Sequence, residues 1–95
     1  MRTLLLDATG WQNREDVYDA FFRAVGAPEW HGRNFDALRD SIETGSINAI
    51  EVPYTIRVVN AAGVSGEAKQ MLHDFRDLIQ ELAARGCAVG IEIDG

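Results

Sequence analysis

The residues with the clearest chemical potential are acidic side chains on one short predicted helix. Asp36, Asp40 and Glu43 recur at helical spacing, so they share a face about a third of a turn from the apolar stripe. Asp36 and Asp40 are four residues apart, a spacing at which two like charges destabilise a helix by about 0.2–0.5 kcal/mol. Outward carboxylates can make charge-assisted hydrogen bonds to a cationic partner. The simpler interpretation is a solvated acidic face, with Arg39 reaching Glu43.

An aromatic loop comes directly before this helix. Trp30 and His31 lie in a polar segment, and Asn34 is a suitable residue to cap the helix that follows. An exposed tryptophan could contact a partner, and a buried one could anchor the loop to the core. The sequence leaves both interpretations of Trp30 open.

The longest predicted helix also carries segregated charge. Glu67, Asp74 and Glu81 recur every seven residues on one flank of its apolar stripe, and Asp77 lies between the flanks. This pattern predicts an acidic side of the domain. Considered alone, this helix is again explained most simply by a solvated face.

The overall charge favours a basic partner. The 95 residues carry 15 Asp plus Glu against 9 Lys plus Arg, a net charge of −6. A nucleic-acid-binding protein needs a basic surface for the phosphates, so direct nucleic-acid binding is not expected. A basic protein, in contrast, would be attracted by this field.

Other classes of site find little support. Cys87 is the single cysteine and the two histidines are far apart in the chain, so neither a disulfide nor a zinc site is expected. No phosphate-binding or nucleophile motif occurs, and no cofactor is expected. The apolar run near the N-terminus has three leucines, too short for a signal peptide or a membrane span. We therefore expect a cytoplasmic protein without membrane association.

Apolar periodicity and turn residues predict one domain over residues 1–95 in the order β-α-α-β-α-β. The predicted strands span 3–8, 54–60 and 88–93. The predicted helices follow caps at Asn13, Asn34 and Ser65, and they end at Gly26, Gly45 and Gly86. Strands separated by helices favour a parallel sheet. The predicted fold class is α/β, a three-stranded parallel sheet with three to four packed helices.

Segment 28–40 carries a family resemblance. It reads PEWHGRNFDALRD and resembles the barstar family signature, in which P-E-aromatic-aromatic-G-x-N-L-D-A-L-W-D opens the second helix. The resemblance extends to GAP at 26–28 and to RGC at 85–87, before the last strand. It implies a three-stranded parallel sheet with about four helices. It also implies an intracellular inhibitor whose second helix and preceding loop enter the active site of a secreted ribonuclease.

The resemblance also implies roles for single residues. Asp40 matches the aspartate that occupies the enzyme's phosphate site, Asp36 matches a second contacting aspartate, and Trp30 stands where the family has an interface tyrosine. The remaining contact positions fall on Gly32, Asn34, Phe35 and Ala37, and the neighbouring His31, Arg39 and Glu43 complete the expected binding set.

An acidic residue of the last helix also contacts the enzyme in that family, and two positions compete for this role. The sequence FRD at 75–77 points to Asp77, whereas counting back from Gly86 and Cys87 points to Glu81. The long helix carries an insertion of about one turn relative to the family, so only one of these matches can hold.

Two departures from the signature bear on the partner. Arg39 replaces the family's tryptophan, and the loop at 44–53 is longer and lacks an aromatic residue. The target is therefore left open between a ribonuclease and another nuclease toxin. The family's short third helix has little room in 61–66, so it is expected to be missing or fused to the long helix.

Two other functions remain open on the sequence. One is an acidic interaction domain that binds another basic protein without inhibiting an enzyme. The other is a small enzyme in which Asp36 and Asp40 hold a divalent cation, although two carboxylates one turn apart are a weak signal.

Overall fold

The computed structural model describes residues 2–94 and confirms the predicted order of elements. In chain order these are β1 (Arg2–Asp7), α1 (Arg14–Val25), α2 (Phe35–Glu43), β2 (Tyr54–Val59), a 3₁₀ turn (Ala61–Gly63), α3 (Gly66–Ala84) and β3 (Val89–Ile93). The predicted ends differ from these by one or two residues, as is usual where helices and strands fray. The second helix ends before Gly45, with Thr44 as its C-cap.

The three strands form one parallel sheet, as predicted, and their order in the sheet is β1-β2-β3. Side chains alternate between its two faces. Leu4 and Leu6 of β1 are buried, as are Ile56 and Val58 of β2. On the opposite face, one row across the sheet consists of three exposed residues, Leu5, Arg57 and Glu92. One face of the sheet is therefore covered by helices, and this row lies on the face open to solvent.

The first helix has well-defined ends. Asn13 and Asp16 form a reciprocal capping box, as their spacing predicts, and Gly26 ends the helix in the left-handed region at a φ of 66°. The buried face of α1 packs against α3, where the rings of Phe21 and Phe75 meet edge to face with centroids 5.1 Å apart.

The start of α3 differs from the sequence prediction. Ser65 occupies the N-cap position, but its side chain makes no capping hydrogen bond. As expected from the lack of room, the described residues form no separate α-helix between β2 and α3, where only the 3₁₀ turn Ala61–Gly63 is found. This turn has three residues, too few for a turn of α-helix.

Asp7 ties the carboxyl ends of β1 and β2 together. Its Oδ1 accepts hydrogen bonds from Asn60 Nδ2 at 3.0 Å, from Thr9 Oγ1 at 2.7 Å and from Thr9 N at 3.0 Å. The bond from Asn60, followed by those from Thr9, lowers the pKa of Asp7 to about 2 because all of them favour the carboxylate.

The two faces of β1 predict different effects of the same substitution. Leu6 is 2% exposed and Leu5 is 62% exposed. We expect Leu6→Ala to lower the free energy of unfolding by about 2–5 kcal/mol, because it leaves a cavity in the core. Leu5→Ala is the matched control and should change it by about 0.5 kcal/mol or less. Urea unfolding at low protein concentration measures both values, and equal losses would contradict the assignment of the faces.

Candidate functional site

The second helix is fixed at its start by its cap and along its length by its apolar face. Asn34 Oδ1 accepts a hydrogen bond from the backbone N–H of Ala37 at 2.8 Å, as the sequence predicts. Leu38 and Ile42 are buried, and the helix packs against α3. Asp36 lies in the first turn, where the helix dipole favours a negative charge.

His31 holds the preceding loop against α2. Its side chain is buried, with Nδ1 2.9 Å from the carbonyl O of Gly32 and Nε2 2.9 Å from Ser41 Oγ. Because a carbonyl only accepts, Nδ1 donates to Gly32, and Ser41 Oγ in turn donates to the carbonyl O of Leu38 at 3.2 Å. The ring also packs on Phe22, with centroids 4.4 Å apart. The buried ring therefore positions the loop, and a contact of His31 with a partner stays a prediction.

Asp36 and Asp40 point to solvent. Both side chains are exposed, and within residues 2–94 neither forms an ion pair. Asp40 Oδ1 accepts one hydrogen bond, from Thr44 Oγ1 at 3.0 Å. The two carboxylates are therefore outward-facing and not neutralised by the protein's own cations.

Arginines near the second helix bind other carboxylates. Arg39 donates to Glu81 on α3 at 2.9 Å, and Arg85 lies 3.6 Å from Glu43. The pairing of Arg39 with Glu43 considered from the sequence is therefore not formed. Both ion pairs are largely exposed, so each contributes at most about 1 kcal/mol to stability. Their main consequence is that the negative charges of Glu43 and Glu81 are partly compensated by arginines. Those of Asp36 and Asp40 are not.

A groove between α2 and α3 contains both acidic residues that the sequence could not separate. Asp77 and Glu81 line this groove of about 230 Å³ together with Phe35 and Arg39. Asp77 faces Arg76 at the longer distance of 3.4 Å, and its side chain is 67% exposed. The structure thus brings Asp77 and Glu81 to the same side of α2 as Arg39.

Trp30 is exposed, which answers the question that the sequence left open. Its side chain is 74% exposed and borders a shallow hollow of about 120 Å³. Asp40 and Ile47 lie in the same hollow. Ile47 was missed by the sequence reasoning, although an apolar residue in the polar segment 45–48 was a usable signal.

Gly32 and Ala37 also line this hollow. A Cβ atom at Gly32 would lie 3.1 Å from the Cβ of Ala37 and 3.1 Å from Nδ2 of Asn34. A larger residue at position 32 would therefore press on the cap of α2. The hollow depends on glycine to bring the loop this close to the helix.

Neither a metal cluster nor a membrane span is found in the described part of the chain. Among residues 2–94, no three His, Cys, Asp or Glu side chains are grouped so that they could hold a metal ion. No helix in this range is long and apolar enough to cross a bilayer.

The fold and the site together define a small α/β domain that presents carboxylates and an indole on a firmly held helix and loop. The family model Barstar, described as barnase inhibitor, matches residues 1–93. The chain therefore belongs to the Barstar family, and the resemblance in segment 28–40 is confirmed. No match to this chain was found among curated proteins.

The cap of α2 is open to a direct test. We expect Asn34→Ala to lower the free energy of unfolding by about 1 kcal/mol, because the N–H of Ala37 loses its acceptor. Ser65→Ala is the matched control, since Ser65 occupies the same position in α3 without a side-chain bond. Thermal and urea unfolding compare the two variants. A loss at Ser65 as large as that at Asn34 would contradict the capping role.

Proposed function

We propose that this protein is an inhibitor, or immunity protein, that blocks the basic active site of a ribonuclease or a related nuclease toxin. The observation that carries the proposal is the pair of exposed, unpaired carboxylates of Asp36 and Asp40 on α2. Membership in a family described as barnase inhibitor supports it. In this proposal the protein itself has no catalytic activity.

The chemistry of inhibition is imitation of the substrate's charge. Nuclease active sites use cationic side chains to bind phosphates, and carboxylates can accept the same charge-assisted hydrogen bonds. Asp36 and Asp40 lie about 6 Å apart along the helix axis, given a rise of about 1.5 Å per residue. Because α2 is capped and packed, the two groups reach the enzyme without first being ordered.

The net charge supports fast encounter with such an enzyme. A charge of −6 attracts a basic partner over long range and raises the association rate. Salt screens this attraction, so association should slow as the ionic strength rises. Negative charge would thus act twice, first by steering the enzyme and then through the local bonds of Asp36 and Asp40.

Trp30 supplies the apolar part of the proposed interface. Exposed aromatic residues are frequent anchors of interfaces, where they bury a large area with few torsions to fix. Trp30 borders the same hollow as Asp40 and Ile47. An enzyme surface that covers Trp30 would therefore exclude water beside the Asp40 carboxylate, which strengthens that charge contact.

We propose Asp77 rather than Glu81 as the acidic contact of the last helix. Glu81 is bonded to Arg39 at 2.9 Å, so its charge is partly compensated before any partner arrives. Asp77 is more exposed and less tightly paired. Arg39 and Glu81 would then act together to hold α2 against α3. The proposed contact residues are Trp30, Gly32, Asn34, Phe35, Asp36, Ala37, Arg39, Asp40, Glu43 and Asp77.

Asp40 is the residue whose charge should matter most. We expect Asp40→Asn to weaken inhibition of a target nuclease by about 3–5 kcal/mol, or roughly 100-fold to 4,000-fold, because cations of the enzyme are left buried and unpaired. Glu67→Gln is the matched control, since it removes one exposed carboxylate from the start of α3. It should change inhibition only slightly.

Barnase is the first enzyme to use, followed by basic nucleases that bind the immobilised protein and elute with salt. Inhibition constants from RNA hydrolysis compare the two variants with the parent. Equal inhibition by Asp40→Asn and the parent would refute the site assignment. A basic protein that binds through Asp40 and keeps full activity would favour the interaction domain without inhibitory function.

A further inference from the structure

The last strand has one edge without a partner strand. The backbone N–H of Asp94 bonds the carbonyl O of Val58 at 2.7 Å, so the backbone groups of even-numbered residues in this segment face β2. In a strand, consecutive residues present their backbone groups to opposite sides. The N–H and C=O groups of Ile91 and Ile93 therefore face outward, and within residues 2–94 no strand pairs with that edge.

A groove beside this edge is open to solvent. The third helix packs against β3 and buries Val89 near the start of the strand, whereas Ile91 and Ile93 further along are only half-buried. Beside these two residues a groove of about 410 Å³ separates α3 from β3. Its volume lies within the range of about 300–1,000 Å³ that is typical of binding pockets. The helix therefore leaves this part of the edge accessible.

The charged lining of the groove is cationic. Lys69, His73 and Arg76 line it from α3, and their spacing of four and three residues places them in one row along the helix. In the part of the chain that the structure describes, no aspartate or glutamate lines this groove. The protein as a whole has a net charge of −6, so this row reverses the overall sign locally.

The two permanent cations of the row are little compensated by the protein itself. Lys69 forms no ion pair with any residue between 2 and 94, and Arg76 lies 3.4 Å from the adjacent Asp77. Arg33 and Arg39, in contrast, bind carboxylates at 2.6–2.9 Å. The positive charge of the row is therefore available to an anionic partner.

We infer that the open edge of β3 and the cationic row of α3 together bind an extended acidic segment of a partner protein, which adds to the sheet as a fourth strand. The backbone of the segment bonds the outward N–H and C=O groups of Ile91 and Ile93, as peptides do when they extend a sheet. Its alternate side chains point over the groove, because successive side chains of a strand point to opposite faces.

The spacing of the cations matches such a strand. Lys69, His73 and Arg76 are each about one helical turn apart, a rise of about 5 Å. Every second residue of a strand is about 6–7 Å further along. Acidic residues at every second position therefore place their carboxylates beside Lys69 and Arg76, where charge-assisted hydrogen bonds form.

The occupant follows from the two kinds of group that meet in this groove. A free phosphate would use the cations but would leave the backbone groups of Ile91 and Ile93 without partners. A second copy of this chain would bring its own helices and a charge of −6 to the contact. A single acidic strand satisfies both the charges and the backbone groups, and it brings no helix that must be accommodated.

This surface is separate from the proposed docking face. Lys69 and Arg76 line the groove between α3 and β3, whereas Asp77 and Glu81 line the groove between α3 and α2. Inhibition of a nuclease should therefore be unchanged by Lys69→Gln. The inference and the inhibitor proposal can fail independently of each other.

Amide NMR of the isotope-labelled protein, titrated with the capped peptide Glu-Val-Glu-Val-Glu, tests the inference. We expect the amide signals of Ile91 and Ile93 to shift and their hydrogen exchange to slow, because both N–H groups gain acceptors. Lys69→Gln should raise the peptide's dissociation constant about threefold to fivefold, since an exposed charge pair is lost. Arg23→Gln is the matched control, because it removes one exposed cation from α1, and it should bind as the parent.

Two altered peptides separate the contributions of charge and backbone. The uncharged peptide Gln-Val-Gln-Val-Gln, and the acidic peptide methylated at every backbone nitrogen, should each bind at least about tenfold more weakly. Unshifted amides of Ile91 and Ile93 overturn the inference, and so does equal binding of the methylated peptide. A uridine oligonucleotide that binds these residues more tightly than the acidic peptide would assign the groove to nucleic acid instead.

Discussion

The proposed site depends on where the arginines around the second helix bind. Arg39 is three residues from Asp36 and in an isolated helix could pair with it. In the folded protein Glu81 binds Arg39 from across the groove, and Glu43 faces Arg85. Among residues 2–94, these contacts between helices leave Asp36 and Asp40 without a cation paired to them. Their charge is thus directed outward, where a cationic active site can use it.

The same helix is held by interactions that leave its acidic face untouched. Asn34 caps its first turn, His31 bonds Ser41 on its buried side, and its apolar residues pack toward α3. None of these contacts uses the carboxylate of Asp36 or Asp40. The helix therefore combines firm attachment with free charges, and firm attachment lowers the entropy that binding must overcome.

Much of the fold could be predicted from the sequence, because apolar spacing and turn residues act locally. The order of elements, the parallel sheet and the cap at Asn34 follow from such local signals. Contacts between residues far apart in the sequence could not be predicted from such local signals. The ion pair between Arg39 and Glu81 joins residues 42 positions apart. In the same way, buried His31 bonds Ser41 ten positions further along the chain, and Ser65 makes no side-chain cap bond although its position before α3 predicts one.

The most direct test of the central claim is steady-state inhibition of barnase, measured against RNA at several substrate concentrations and again with added inorganic phosphate. If Asp36 and Asp40 occupy the places of phosphates, inhibition is competitive, and the apparent inhibition constant rises linearly with the RNA concentration. Phosphate then weakens binding of the parent more than binding of Asp40→Asn. Inhibition that is independent of RNA concentration and equally affected by phosphate in both proteins would contradict the account.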